Sequence, residues 1–294
     1  MATDANRLEG FELRELRWQG ARLVYAVGGP AGAAPPVVLV HGLGGTIENW
    51  RALAPPLAAE RRLLVPDLPG HGGSEALPEA PDVGALADAV LAVAEAESLD
   101  GAVWIGHSLG GLVALEAAIR RPAAVRGIVL AAAAGIGSTS RAAHIALTVL
   151  GLLRPGRLVA PFRHRWARAR LGRRLAFGWW GVADPDGLEP ELAEAFLVGP
   201  AYHANTRQAG RALLATDPRA RLDAVGCPCL CLWGASDNWV RLEDGMEYAR
   251  RLHAPLRAIA GCGHLLIGER PDACLAAIRD FLGALGAETA PGAR

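Results

Sequence analysis

Three features of this 294-residue chain predict a mainly parallel α/β sheet flanked by helices, with a helical cap inserted into it. Apolar runs such as "PPVVLVHG" and "AVWIGHS" are too continuous for one-sided strands and imply a sheet buried on both faces. These runs alternate with helical patterns, the rhythm of parallel α/β units. The rhythm stops after Ala134 and resumes at "CPCLCLWG" from Cys227, leaving a long helix-prone stretch between.

The chain opens with a hairpin, "FELRELRW" and "ARLVYAV", turning at Gln19-Gly20. "PPVVLVHG" follows, then a helical stretch from Ile47, the strand "RRLLVPD", a helix from Val83 to Glu97 and the strand "AVWIGHS". A helix from Leu109 to Arg120 and the strand "VRGIVLAAAA" end the first half. Residues 136–220 are rich in arginine and tryptophan, punctuated by proline, and contain no convincing buried strand. "CPCLCLWG", a helix from Leu242 to Leu252, "PLRAIAG" and a helix from Pro271 to Leu285 restore the alternation. A core domain of residues 1–135 and 221–294, interrupted by a cap of residues 136–220, is the simplest account, and no internal repeat is evident.

Composition removes several functions. Formal net charge is zero, which gives no reason to expect a polyanion such as nucleic acid as partner. The basic residues are all arginine, so no lysine Schiff base and no P-loop lysine can operate. The N-terminus, "MATDANRLEGFELRELRW", has neither a basic n-region nor an apolar h-region, and a cytoplasmic location is expected. The longest apolar helix-like run, Ile145 to Leu153, falls well short of the roughly 20 residues that cross a bilayer. Cys227, Cys229 and Cys231 alternate along a strand, and with Cys262 and Cys274 they lack zinc-site spacing; buried, reduced thiols are expected. Neither metal nor organic cofactor is implied.

In α/β sheets ligands bind beyond the carboxyl ends of the strands. Polar chemistry follows the strands at His41-Gly42, Asp67, His107-Ser108, Asp237 and His264. "GHSLGG" matches G-x-S-x-G between a strand and a helix, the context in which such a serine is lifted above the sheet on a tight turn. Gly106 and Gly110 leave room for that turn, and the helix N-terminus offers N–H groups to an oxyanion. A serine nucleophile needs a base, and the base needs an orienting carboxylate. His264, after the last strand and between Gly261, Gly263 and an apolar run, is the best base among eight histidines. Asp237, just past the preceding strand, could equally cap the next helix, but as the acid it has no close rival, since "VLAAAAGIGSTS" offers none after the strand that follows the serine's helix. In the loop His41-Gly42-Leu43-Gly44-Gly45 the backbone can approach a substrate, and the N–H groups of Leu43 and Leu109 would meet a developing oxyanion.

Taken together, His41-Gly42, "DLPGHGGS" from Asp67, "GHSLGG", Asp237 and His264 resemble the α/β-hydrolase superfamily over nearly the whole chain. The resemblance implies an eight-stranded-type sheet, Ser108 as nucleophile, His264 as general base and acid, Asp237 as its orienter, and Leu43 and Leu109 as the oxyanion hole. Asp67, His71 and His107 match positions that shape loops or the nucleophile turn. Serine at 108 argues against haloalkane dehalogenases and most epoxide hydrolases, which carry aspartate there. "HGLGG" departs from the oxyanion loop of proline iminopeptidases. Many relatives have prolines after the acid, where this chain reads "NWVRLE", which leaves that loop's path open.

The expected activity is a carboxylesterase-type hydrolysis of small or medium-chain esters. Alternatives are a carbon–carbon bond hydrolase of ring-fission ketoacids, or a non-catalytic small-molecule receptor. Candidates for the substrate pocket are His41, His107, Trp179 and Trp180, although core packing accounts for the tryptophans equally. Six arginines fall between Arg163 and Arg174, and one helix through them would carry Phe162, Trp166 and Ala169 on a single face. A solvated helix packed by that stripe is the first reading; attraction of an acidic substrate or an anionic membrane is the second. No stable membrane insertion is expected, and the sequence leaves the oligomeric state open.

Overall fold

The computed structural model describes residues 8–32, 34–137, 160–178, 181–202 and 206–287. Eight strands form one sheet in the order β1-β2-β4-β3-β5-β6-β7-β8: β1 (Glu12–Trp18), β2 (Ala21–Gly28), β3 (Val37–Val40), β4 (Leu63–Pro66), β5 (Ala102–His107), β6 (Val125–Ala131), β7 (Cys229–Gly234) and β8 (Leu256–Ile259). β1 and β2 pair antiparallel, as do β2 and β4, and the remaining pairs are parallel. The opening hairpin turns at Gln19 and Gly20, both at positive φ (46° and 81°), the turn type whose twist suits a two-residue hairpin.

β3 to β7 carry the continuous apolar runs, and nearly every residue in them is buried. The two edges differ from these: no residue of β1 or β8 is buried, each strand mixing exposed and half-buried positions. Helix α1 (Ala54–Ala58) is short, α2 (Val83–Ala96) is capped by the Asp82 carboxylate accepting from Ala85 N, and α3 (Leu109–Arg120) is buried from Leu109 to Ala118. Because the chain leaves β3 towards β4 on one side and reaches β5 on the other, β3 and β5 flank a switch in strand order. The crevice beyond their carboxyl ends is where α/β sheets bind ligands.

Between β6 and β7 the described chain is helical: Arg163–Arg168, Arg170–Phe177, Pro190–Tyr202 and Thr206–Ala215. Ala167, Phe177, Val182, Leu188, Leu192 and Ala193 form a second apolar cluster there, which Leu265 of the sheet domain joins. The apolar run Ile145–Leu153 lies outside the described residues, within which no helix is long and apolar enough to cross a membrane.

The single arginine-rich helix expected through Phe162, Trp166 and Ala169 is two helices instead. Ala169 is extended (φ −81°, ψ 125°), and Phe162 is 59% exposed rather than packed. Arg173 explains the break. Its guanidinium is buried and donates to the carbonyls of Ala167, Arg168, Pro185 and Asp186, satisfying groups that the end of the first helix leaves unpaired. Cys229, Cys231, Cys262 and Cys274 are buried free thiols, and burial pushes Cys231 up to about 12.

Candidate active site

Ser108 sits between β5 and α3 at φ 54° and ψ −116°, a conformation that costs of order 1–3 kcal/mol for a non-glycine residue. The surroundings enforce it. Ser108 N–H donates to Ala131 O at the end of β6 (3.0 Å), and Ser108 O accepts from Gly111 N and Ala134 N. A Cβ at Gly110 would lie 2.1 Å from Val40 O, and one at Gly106 would lie 2.1 Å from Gly110 O, so neither position admits a side chain. The strained turn is therefore held by β3, β5 and β6 together.

The loop after β3 lies against this turn. A Cβ on Gly42 would meet Ser108 Cβ and His107 Nδ1, each at 3.1 Å, so Gly42, the residue before Leu43, packs against the serine. Leu109 is the first residue of α3, where no intrahelical carbonyl is available to the N–H. Thr46 N–H donates to Asn49 Oδ1 (3.0 Å), and the Thr46 hydroxyl accepts from Glu48 N, closing the loop into the turn Ile47–Trp50. Asn49 Nδ2 then donates to Ala195 O of the Pro190–Tyr202 helix (2.9 Å).

His264 Nδ1 meets Asp237 Oδ2 at 2.9 Å, with both side chains almost fully buried. The other carboxylate oxygen, Oδ1, accepts from Trp239 N (2.8 Å) and Val240 N (2.9 Å). That turn supplies the path that "NWVRLE" left open: Asp237 folds the loop onto itself without proline. Among the described residues Ser108 Oγ and His264 Nε2 do not close a hydrogen bond. Such contacts are often long before substrate binds.

His107 and His41 are both buried and bond to backbone through their rings. His107 Nε2 donates to His264 O (2.9 Å), and the two rings lie 5.0 Å apart. Burial, assisted by His264, pushes His107 down to about 3, so it is neutral. His41 Nε2 accepts from Leu68 N (3.0 Å), which leaves Nδ1 to donate to Gly42 O (2.8 Å). Asp67 accepts from Ile47 N on one oxygen and Gly73 N on the other, both at 2.8 Å, tying the loops after β3 and β4 together. Trp179 and Trp180 lie outside the described residues.

Three contributors escaped the sequence. Asn49 carried a faint signal in Thr46-x-x-Asn49, a variant of the capping-box spacing. Glu269 accepts from Gly263 N and Ala183 N, and Asp244 accepts from Gly137 N after β6, where no local acid exists; neither had a signal, because both arrive from distant elements. Among the described residues no group of three or more histidine, cysteine or carboxylate side chains is arranged to hold a metal ion.

Known proteins resemble this chain over much of its length. Over 252 residues the chain is 36% identical to the pimeloyl-[acyl-carrier protein] methyl ester esterase of Aromatoleum aromaticum, covering 84% of this chain and 98% of that one. It is 42% identical over 124 residues to the dihydrolipoyllysine-residue acetyltransferase component of the acetoin cleaving system of Pseudomonas putida, spanning only 31% of that longer protein. A solved hydrolase structure from Pseudomonas aeruginosa PA01 superposes with a TM-score of 0.74 at 27% identity, covering 92% of this chain and 98% of that one. Residues 37–277 match the alpha/beta hydrolase family, and the chain belongs to that family.

Proposed function

We propose that the protein is a serine esterase that cleaves carboxylic esters of small or medium acyl chains through an acyl-enzyme intermediate. The observation that carries this reading is the strained Ser108 turn, whose neighbour His107 bonds to the backbone of His264, beside the buried His264–Asp237 pair. Ser108 Oγ attacks the ester carbonyl as His264 Nε2 takes its proton, and the Leu43 and Leu109 N–H groups receive the tetrahedral oxyanion. His264 returns the proton to the leaving alcohol, then activates water to release the acid. Asp237 holds Nδ1–H and thereby leaves Nε2 free to act as the base.

His41 and His107 shape the loops and do not line the pocket, in keeping with their burial and backbone bonds. The insertion, residues 136–220, acts as the cap that selects the acyl group. The methyl ester esterase relative supports an ester with a small alcohol portion. No residue of this site needs a cofactor for the reaction.

The test is p-nitrophenyl ester turnover over a series of acyl lengths, beside fluorophosphonate labelling followed by peptide mass analysis. Ser108→Ala should abolish both while the protein stays folded. Retained turnover in that variant, or a label on another residue, overturns the assignment. Including a ring-fission dienoate in the panel separates ester hydrolysis from carbon–carbon cleavage.

A further inference from the structure

The loop that carries His264 is tied to the insertion between β6 and β7. Leu265 N–H donates to Gly181 O of the insertion (3.0 Å), and the Leu265 side chain is buried within the insertion's own apolar cluster. On the other side of His264, Gly263 presses against the same segment: a Cβ there would lie 2.9 Å from Ala183 N and 3.0 Å from Gly181 O. Glu269 joins the two strands of this contact. Its Oε2 accepts from both Gly263 N (2.9 Å) and Ala183 N (2.8 Å), while Oε1 accepts again from Gly263 N (3.0 Å).

We propose that Glu269 is a positioning residue that clamps the Gly181–Ala183 segment of the insertion to the Gly263–Leu265 loop, so that the insertion sets the position of His264. The proposal rests on the esterase reading, in which His264 is the base. Its basis is geometric. Leu265 bonds to the insertion, Gly263 packs against it, and one carboxylate spans the joint, so a displacement of Gly181–Ala183 moves the imidazole relative to Ser108. Substrate that seats the insertion therefore completes the base, and substrate too short to reach it leaves His264 less well held. Errors of about 1 Å in such alignment cost on the order of 100-fold in rate.

Glu269→Gln can keep one oxygen at the shared Oε2 position, whereas Glu269→Asp keeps the charge but loses the reach. Glu269→Asp and Glu269→Ala should lower kcat by about 10- to 100-fold with KM changed less than about threefold. They should also shift the acidic limb of the kcat/KM profile. Glu269→Gln should stay within about fivefold of wild type. Amide hydrogen exchange at Ala183, Gly263 and Leu265 should accelerate together in the Asp variant and not in the Gln variant. Wild-type kcat in Glu269→Asp, or equal losses in the Asp and Gln variants, overturns the clamp even if Glu269→Ala fails to fold. Failure of the esterase reading is separate, because it appears as absent Ser108 labelling in the wild-type protein.

Discussion

His107 Nε2 reaches across 2.9 Å to the carbonyl oxygen of His264, so the residue next to the serine holds the backbone of the histidine that would serve it. The bond needs a proton on Nε2, and burial keeps the ring otherwise neutral by pushing His107 down to about 3. An unfolded chain protonates the same imidazole near its ordinary value of about 6.5. The contribution to stability is thus complete above about pH 6.5 and is lost as pH falls towards 3. Urea unfolding between pH 4 and 6.5 should show a slope in His107→Gln shallower than wild type by up to about 1.4 kcal/mol per pH unit. His71, pushed down to about 4 by burial, contributes a second slope that this variant leaves in place.

Glu48 has the opposite sign. It is buried in the turn Ile47–Trp50, and burial outweighs the favourable charge of Arg51, pushing its carboxyl up to about 7, with Glu194 adding repulsion. The unfolded carboxyl ionises near 4.5, so folding is penalised increasingly as pH rises from about 4.5 through 7. Glu48→Gln should be more stable than wild type at pH 8 by roughly 1–3 kcal/mol and equal to it below about pH 4.5. Thermal unfolding at the two pH values measures the difference.

Asp237→Asn tests the orientation of the base. The amide oxygen can still accept from Trp239 N and Val240 N, which keeps the loop folded, but its NH2 group facing His264 would favour the tautomer with the proton on Nε2. Ester turnover should fall by roughly ten-thousandfold in kcat with little change in thermal stability. A loss of less than about tenfold would show that the carboxylate is not needed for the tautomer.

Two glycine substitutions should separate steric need from helix propensity. Gly110→Ala places its Cβ 2.1 Å from Val40 O, and the Ser108 turn cannot form around it; the variant should lose soluble yield and activity together. Gly283→Ala lies in the Pro271–Ala287 helix with nothing within 4 Å of the added Cβ, and should stabilise the protein by about 0.5–1 kcal/mol. Expression yield and thermal melts read both.

The primary sequence by itself determined the sheet and the Ser108 turn. β3, β5 and β7 were legible because strands buried on both faces must be apolar throughout, and the Ser108 turn was legible because only glycine fits at 106 and 110. Those are local constraints, written in neighbouring residues. Tertiary structure alone decided how the pieces are held: His107 on His264 O, Asn49 on Ala195 O, Arg173 ending one helix, Glu269 joining Gly263 to Ala183. Each of these is a polar side chain meeting backbone carbonyls or N–H groups. Backbone is the same at every residue type, so the partner leaves no mark in the sequence until the fold brings it within reach.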